Sequence, residues 1–522
     1  MQGMENTPAP SLPRSAFVRF LSGTGFTIWI LSFGILILFL ASVDSTRFGV
    51  DLSARAYFGS LIAIWTYPDE WPMGSLLSRI WLPLPGAPVL ALAALVNLVF
   101  AGWYRLRVQV RESSVNAGLA VIHVGLIVVV AGFFSLIGGV SRAVELTEAG
   151  AVLVVVGLIL HQMPRLILFA RESVHLDSVP EGASAGMRLN RSWFFAPVIG
   201  MATGALIAIS NGPAEMARVY SETKLDLLPI LLYAPTLFII AMYWRGAAKG
   251  SELQRRLAFP LLCSAIALHS ALTVCLAVIR RLPPVIDLHS SIVCAGWAGA
   301  LIAYYAERRR RDGLAGAASA VVGILSLGIA WFVSTDFSRQ IEPVIASKLW
   351  LILHVGTITA AYGAVLLAVV LADICLFARI LRRDESLSLR IATPLAGTIG
   401  AALCLLAAGI LMGGLWAQGA WGRFWGWDPK ENAALMLLFA CALILHARRG
   451  GQIRARGLVN LTALAGLILA WSWAGTNLMG VGLHSYGFTS PGLWITIGYA
   501  IGQSALVAVA ALVPLAPDPE LE

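Results

Sequence analysis

Histidine and tryptophan are the residue types of this chain whose placement points to chemistry. The chain has 522 residues, with 8 histidines and 17 tryptophans. Residues 416–431 are unusually rich in large aromatic rings: Trp416, Trp421, Phe424, Trp425 and Trp427. Imidazole is a common ligand of metals and of haem iron. Rigid indole rings between glycines, which let the backbone turn, suit the flat face of a broad ligand. The two residue types thus predict a metal-ligating role and a ligand-platform role.

The tryptophan-rich segment, defined here as residues 416–431, ends in a pattern typical of a helix start. Asp428 is suited to the N-cap, Pro429 to the first helical position, and Glu431 to the residue that reaches back in a capping box. A capped helix would fix the position of the aromatic rings before it. The alternative is an interfacial aromatic belt, but a belt is spread over many helix ends. One dense cluster favours a ligand platform.

Composition predicts the class of protein that must position these residues. The chain is 58% hydrophobic and 12% charged, with a mean hydropathy of +0.80. Soluble domains are about a quarter charged, so a soluble globule and a disordered chain are both excluded. The net charge of +9 is typical of cytoplasmic loops in a membrane protein and does not indicate nucleic-acid binding. We predict an all-α polytopic membrane protein.

Apolar runs long enough to cross a bilayer, which takes about 20 residues, predict the membrane helices. Twelve are clear: 26–43, 86–104, 116–138, 227–244, 258–279, 289–306, 315–334, 350–378, 394–415, 432–447, 458–475 and 493–515. Two weaker runs, 150–170 and 193–210, either span as a pair or lie on the outer surface. The chain is therefore expected to have about 12–14 transmembrane helices.

Basic residues in short loops predict the orientation of these helices. Five loops are rich in arginine and lysine: Arg105/Arg107/Arg111, Arg245/Lys249/Arg255/Arg256, Arg308–Arg311, Arg379/Arg382/Arg383/Arg390 and Arg448/Arg449/Arg454/Arg456. The order of the helices puts all five on one side, which the positive-inside rule makes the cytoplasmic side. The tryptophan-rich segment then faces outward, as does residue range 476–491.

This orientation sorts four histidines into two pairs. His123 and His446 fall near the inner face, and His354 and His484 near the outer face. Any one of them alone is as well explained by an ordinary hydrogen-bonded histidine. Two pairs at different depths predict two metal centres along a path. The roles of His161, His269 and His289 stay open.

The cysteines exclude several other kinds of site. All six lie in apolar stretches and none forms Cys-x-x-Cys: Cys263, Cys275, Cys294, Cys375, Cys404 and Cys441. Buried free thiols are the expected outcome. A disulfide framework, a zinc cluster and a dithiol redox motif are not expected.

Several of these residues resemble a known family. Trp421–Glu431 resembles the tryptophan-rich (WWD) signature of the haem-handling proteins of cytochrome c biogenesis. Leu349–His354 and residues 475–488 are similar to the first and second outer histidine motifs of the CcsA subunit. The resemblance runs from about 227 to 515 with its motifs in order, and it implies a CcsA-like haem-handling membrane domain at 227–522.

The N-terminal part, 1–226, is similar to the partner subunit ResB/CcsB. The likeness is carried by Asn97-Leu98, His123–Leu126, Gly132, Gly138-Gly139 and Glu145–Glu148. The chain would then be a natural fusion of both subunits of the system II cytochrome c synthase. It departs from the family in having little room for a large extracytoplasmic domain after the third span, which bears on apocytochrome docking. The family's Asn-x-Tyr-Glu-Ser appears as Asp287–Ser291, which leaves His289 without a family role.

The resemblance implies a role for each candidate residue. His354 and His484 would ligate haem iron at an outer site, and His123 and His446 would hold haem at an inner site. The outer site would be lined by Trp416, Trp421, Trp425, Trp427 and Asp428, of which the last four and the two outer histidines make up the expected catalytic set.

The implied activity is that of a holocytochrome c synthase in the bacterial inner membrane, with its active site on the extracytoplasmic side. Haem b would pass from the inner to the outer site, where an apocytochrome presents Cys-x-x-Cys-His and its thiols add to the haem vinyl groups. The thiols must be reduced, so thiol-reducing partner proteins are implied.

Three other functions stay open. A di-haem membrane cytochrome would use the four histidines for electron transfer. A small-solute channel or transporter predicts no co-purifying haem. A haem exporter or chaperone without ligase activity shares nearly every feature with a synthase.

Overall fold

The computed structural model describes most of the chain. The described residues are 16–109, 114–137, 145–147, 149–154, 156–157, 160–161, 195–245, 252–310, 313–333, 348–383, 385–482 and 490–514. His484, a predicted iron ligand, lies outside them.

Helices make up nearly all of the described structure. Up to residue 332 the elements are α1 (Ala16–Leu21), α2 (Thr24–Phe48), α3 (Val50–Phe58), β1 (Ile62–Thr66), α4 (Gly74–Leu77), β2 (Trp81–Pro85), α5 (Ala87–Gln109), α6 (Ser114–Ile137), α7 (Ala196–Asn211), α8 (Pro213–Thr223), α9 (Leu227–Arg245), α10 (Glu252–Arg280), α11 (Leu288–Arg310) and α12 (Leu314–Phe332). Those after it are a helical turn (Lys348–Trp350), a first π-helical turn (Leu351–Val355), α13 (Gly356–Arg382), α14 (Ser386–Trp421), α15 (Pro429–Arg449), α16 (Ala455–Ala470), a second π-helical turn (Trp471–Gly475), a short turn (Thr476–Leu478) and α17 (Ser490–Leu512).

The predicted class, an all-α polytopic membrane protein, is confirmed. Each of the twelve clear apolar runs coincides with a helix, and the weaker run 193–210 coincides with α7. Among the described residues, eight helices are long and apolar enough to cross a membrane. A ninth span results if α8 and the first part of α9, bent by 51° at their junction, count as one.

The chain divides into two compact units. One consists of Met1–Phe169 and Gly426–Arg454, and the other of Ala170–Trp425 and Ala455–Glu522. The first unit therefore includes α15 together with residues 426–431 of the tryptophan-rich segment. The predicted domains, 1–226 and 227–522, were defined by family resemblance and not by compactness. That division stays a prediction.

In the first unit, α15 packs against α2. The two helices approach closely at Gly34, where an added Cβ would lie 2.9 Å from Cε2 of Phe439. Asn432 Nδ2 also donates to Ser42 Oγ at 3.3 Å. Asn97, one of the resemblance residues, joins α5 to the start of the chain, since its Nδ2 donates to Leu21 O at 2.7 Å. Between α2 and α5, β1 and β2 form an antiparallel hairpin that the sequence patterns did not predict.

Glycines set a second close contact in this unit. A Cβ added to Gly125 would lie 2.6 Å from Val154 N, and one added to Gly157 would lie 2.6 Å from Ile122 N. Since these neighbours are backbone atoms, α6 packs backbone against backbone on the helical residues 149–154 and 156–157. This packing holds the span that carries His123.

Among the described residues of the second unit, an apolar core lies between α9, α10, α11, α12 and α13. Its members include Leu262, Ile266, Leu276, Val293, Leu327 and Leu367. Helices α11 and α13 approach at Gly299, where a Cβ would lie 2.5 Å from Gly363 O. Near the end of α11, the buried carboxylate of Glu307 accepts from the N–H groups of Gly313 and Gly316 at 2.9 and 3.0 Å. These two bonds satisfy free N–H groups at the start of α12. This core positions the first π-helical turn.

Candidate functional site

His354 lies in the first π-helical turn, at the start of the span continued by α13. Single π-helical turns inside membrane or soluble helices occur often at functional sites. The imidazole is half-buried. Its place at a span terminus agrees with the sequence prediction.

The imidazole of His354 lies against a glycine face of α14. Its Nδ1 is 2.8 Å from Gly409 O, and a carbonyl oxygen only accepts, so Nδ1 carries the proton of the neutral ring. One turn further along α14, a Cβ on Gly413 would lie 2.5 Å from Cε1 of His354. We refer to Gly409 and Gly413 as the glycine seat. The bond to Gly409 O fixes the tautomer in which Nε2 carries the lone pair. Nε2 is therefore the nitrogen that can ligate a metal.

Trp416 stands beside this imidazole on the same helix as the glycine seat. The two ring centroids are 5.9 Å apart, with an interplanar angle of 63°. The structure thus brings together the first predicted iron ligand and the first predicted platform tryptophan.

The tryptophan-rich segment is helical over its first six residues, so the helix predicted at 394–415 extends beyond its apolar run. Helix α14 continues to Trp421 and ends at Gly422, which takes the left-handed φ of 68°. The apolar run stops at 415, but helical hydrogen bonding continues through 416–421 until a glycine allows the chain to turn. Trp416 and Trp421 are therefore carried by a helix, whereas Trp425 and Trp427 are carried by a loop.

After that turn, Phe424 folds back onto α14. A Cβ on Gly414 would lie 2.5 Å from Cζ of Phe424, so only glycine leaves room for this ring. Adjacent glycines of α14 thus accommodate two rings, Gly413 that of His354 and Gly414 that of Phe424. Trp416, Trp421, Trp425 and Trp427 are all half-buried.

The predicted helix start at the end of the segment is confirmed. Asp428 is the N-cap of α15, its Oδ1 accepts from Lys430 N at 2.8 Å, and the capping box with Glu431 is present. Asp428 is buried, at 2% exposure. The capping role is enough to explain why an aspartate occupies this position, and no bound ligand is needed for that explanation.

Trp427 stacks on a residue from the N-terminal part of the chain. Its ring centroid is 3.7 Å from that of Phe58, with an interplanar angle of 15°. Sequence reasoning missed Phe58, because no local pattern relates residue 58 to residue 427.

The second π-helical turn immediately precedes the second outer histidine motif. It is tied to α13 by a hydrogen bond between Ser472 Oγ and Tyr362 Oη, and Trp473 contacts the Tyr362 ring with centroids 5.8 Å apart. Trp473 Nε1 also donates to Ser291 Oγ at 3.3 Å. Tyr362 is two turns beyond His354, so the chain leading to His484 begins in the same region of this unit.

The predicted inner histidines are held differently. His123 Nδ1 lies 2.6 Å from Leu119 O, and His446 Nδ1 lies 2.7 Å from Ala442 O. Both partners are carbonyls four residues earlier in the same helix. In both rings Nδ1 therefore carries the proton of the neutral form, as in His354, and this bond is made within the helix.

His269 and His289 have structural partners. His269 Nδ1 lies 3.2 Å from Tyr233 Oη and its Nε2 lies 3.1 Å from Val293 O, so both nitrogens serve the fully buried core. His289 Nε2 lies 3.2 Å from Asp226 Oδ2, and Tyr220 Oη donates to the other oxygen of this carboxylate. Throughout the described part of the chain, no three His, Cys, Asp or Glu side chains gather as a metal cluster.

All six cysteines are free thiols, as predicted. Four are buried and two are half-buried, namely Cys294 and Cys404.

Comparison with known proteins relates this arrangement to one family. Residues 285–484 match the family described as Cytochrome C assembly protein. The cytochrome c biogenesis protein CcsA of Synechococcus sp. strain CC9902 is 31% identical over 242 residues, which covers 39% of this chain and 78% of the relative. The CcsA proteins of strains CC9605 and CC9311 are 30% and 31% identical and are covered over 78% and 79% of their length. The matched range includes His354, the tryptophan-rich segment and His446.

Proposed function

This chain belongs to the CcsA family of cytochrome c biogenesis proteins, and on that premise we propose that it is a cytochrome c synthase. It is a multi-pass membrane component of cytochrome c biogenesis. The proposed activity is to carry haem b across the membrane and attach it to an apocytochrome. The region 1–226 would supply the ResB/CcsB-like partner within the same chain.

The glycine seat is the observation that carries this proposal. A ligating imidazole needs its second nitrogen fixed, and Gly409 O does this for Nδ1 of His354 at 2.8 Å. The ring has no room to shift toward α14, because Gly413 lies directly against it. The side chain is therefore preorganised before haem arrives, which suits a site that must hold haem for a reaction.

In the proposed outer site, His354 and His484 ligate the iron from opposite faces of the porphyrin. Trp416, Trp421, Trp425, Trp427 and Asp428 line it. The contact of Trp416 with the His354 ring supports this assignment. The tie between Tyr362 and the second π-helical turn supports it too, because that turn leads into the second histidine motif.

In the proposed inner site, His123 and His446 receive haem from the cytoplasmic side. The arginine-rich loops support this orientation, since His446 is followed by Arg448 and Arg449. We place the protein in the bacterial inner membrane with the synthase site on the extracytoplasmic side.

Attachment needs positioning more than acid or base chemistry. Each apocytochrome thiol adds across one haem vinyl group: a carbon–sulfur bond forms, the thiol hydrogen goes to the other vinyl carbon, and no electron is gained or lost. The histidine of Cys-x-x-Cys-His replaces one axial imidazole. The protein turns an encounter of three groups into a bound arrangement. Thiol-reducing partner proteins keep the cysteines reduced.

Co-expression with an apocytochrome in cells that lack their own maturation system tests this function. We expect covalent cytochrome with the native chain and none with His354→Ala or His484→Ala. Gly397→Ala is the control, because a Cβ there meets nothing within 4 Å. Haem bound to the chain without any attached cytochrome would instead identify a haem exporter or chaperone. A permanently bound haem pair that supports no attachment would identify an electron-transfer cytochrome.

A further inference from the structure

Trp427 has a backbone conformation that a bulky side chain rarely adopts. Its φ is 57°, in the left-handed region. Such a conformation persists only where the surroundings hold it, and it occurs often where a side chain must be aimed. The surroundings of this residue therefore show what the fold uses to aim its indole.

One carboxylate holds the backbone on both sides of Trp427. Glu431 Oε2 accepts from Gly426 N at 2.8 Å and from Asp428 N at 3.2 Å. The carbonyl of Trp427 itself accepts from Asn432 Nδ2 at 3.0 Å. Three hydrogen bonds from the start of α15 thus fix the peptide groups around this residue.

The ring is fixed by Phe58, the last residue of α3. The two rings are nearly parallel, with centroids 3.7 Å apart, and Phe58 is only 4% exposed. Phe58 is itself held, because the neighbouring Tyr57 donates to Asp44 Oδ2 at 2.6 Å and so ties α3 to α2. Burial raises the pKa of the Tyr57 hydroxyl, and the Asp44 carboxylate raises it further, so Tyr57 stays a donor.

We propose that Phe58 is a positioning residue for Trp427: its ring sets the plane of the indole while Glu431 and Asn432 set the backbone. The N-terminal part of the chain then contributes directly to the shape of the tryptophan-rich segment. This contribution gives a physical reason for both parts to occur in one polypeptide. The consequence for haem rests on the proposed function, in which Trp427 lines the outer site.

The test compares Phe58→Leu with Phe58→Tyr, Trp427→Ala and the double variant Phe58→Leu/Trp427→Ala in the full-length purified chain. Two readouts are measured: haem per protein, and the circular dichroism of the Soret band, which depends on the orientation of the porphyrin relative to nearby aromatic rings. Phe439→Leu is the matched control, since Phe439 packs between α15 and α2 in the same unit, at Gly34.

We expect Phe58→Leu to lower haem content about threefold, because an aromatic stack is lost, and to change the Soret dichroism. Phe58→Tyr keeps the flat ring and should match the native chain, as should Phe439→Leu. The double variant should be no worse than Trp427→Ala. If Phe58→Leu does not accumulate in membranes, Phe58→Met, whose flexible side chain adapts to the space without a ring, replaces it.

Native haem content and Soret dichroism in Phe58→Leu, with both altered in Trp427→Ala, would overturn the role of Phe58 and leave the proposed function standing. Equal losses in Phe58→Leu and Phe439→Leu would also overturn it, since they would reflect general packing. If Trp427→Ala itself behaved as the native chain, the platform in the proposed function would be wrong instead.

Discussion

The histidines of the two compact units are held in different ways. In one unit, His354 is bonded to a carbonyl 55 residues away on another helix and rests on Gly413. In the other unit, His123 and His446 are bonded to carbonyls of their own helices, four residues back. The first bond fixes the His354 imidazole relative to α14, and the other two bonds fix each ring relative to its own helix. Under the proposed function, a bond between two helices suits a site that must hold haem for a reaction.

The largest effect is expected from closing the glycine seat. In Gly413→Ala the new methyl group would overlap the His354 ring, at a cost of about 1–3 kcal/mol. Haem content at the outer site should fall about tenfold or more. Gly397→Ala on the same helix is the matched control, since a Cβ there meets nothing within 4 Å. Equal haem in the two variants, measured by pyridine haemochrome, would show that the seat does not position His354.

The glycine seat also shows where prediction from sequence stops. The hydropathy of each run was enough to locate the helices, because about 20 apolar residues in a row have few alternatives to spanning a bilayer. The capping box at Asp428 was also predictable, because its partners lie within four residues. Gly413 and Gly419 look alike in the sequence, yet one lies under an imidazole and the other in open space.

Contacts between distant residues account for the other differences. The π-helical turn at His354 has no compositional signal, since it depends on how the helix packs. Helix α14 extends to Trp421 because helical hydrogen bonding continues past the apolar run. Phe58 and Trp427 are paired by the packing of α3 and α15 in one unit, which no pattern in either segment reveals.

A smaller effect is expected from the locally held histidines. His446→Ala should lower total haem about fivefold, or about 1 kcal/mol, because one of the two proposed inner ligands is lost while the outer site is intact. His123→Ala should give a similar loss. Haem supplied from the extracytoplasmic side should restore the outer-site spectrum in both variants, but not in Gly413→Ala. Normal haem content in both histidine variants would argue against an inner loading site.

The smallest effect is expected from Trp416. Trp416→Phe keeps an aromatic ring beside His354, but the ring is smaller and the indole N–H is lost. Haem content should therefore fall only about twofold. Trp416→Ala should lose more, because the edge contact with the imidazole disappears. The ratio of the two losses, measured on purified protein at matched expression, separates an aromatic platform from simple packing. Equal losses would contradict the platform.

The central claim is that two imidazoles, from His354 and His484, clasp a haem iron at one site. The most direct measurement is the visible and electron paramagnetic resonance spectrum of the full-length chain purified from haem-replete cells. The account predicts low-spin bis-histidine haem, lost in His354→Ala and in His484→Ala and recovered in each when imidazole is added. A colourless native protein, or an unchanged spectrum in both alanine variants, would contradict it.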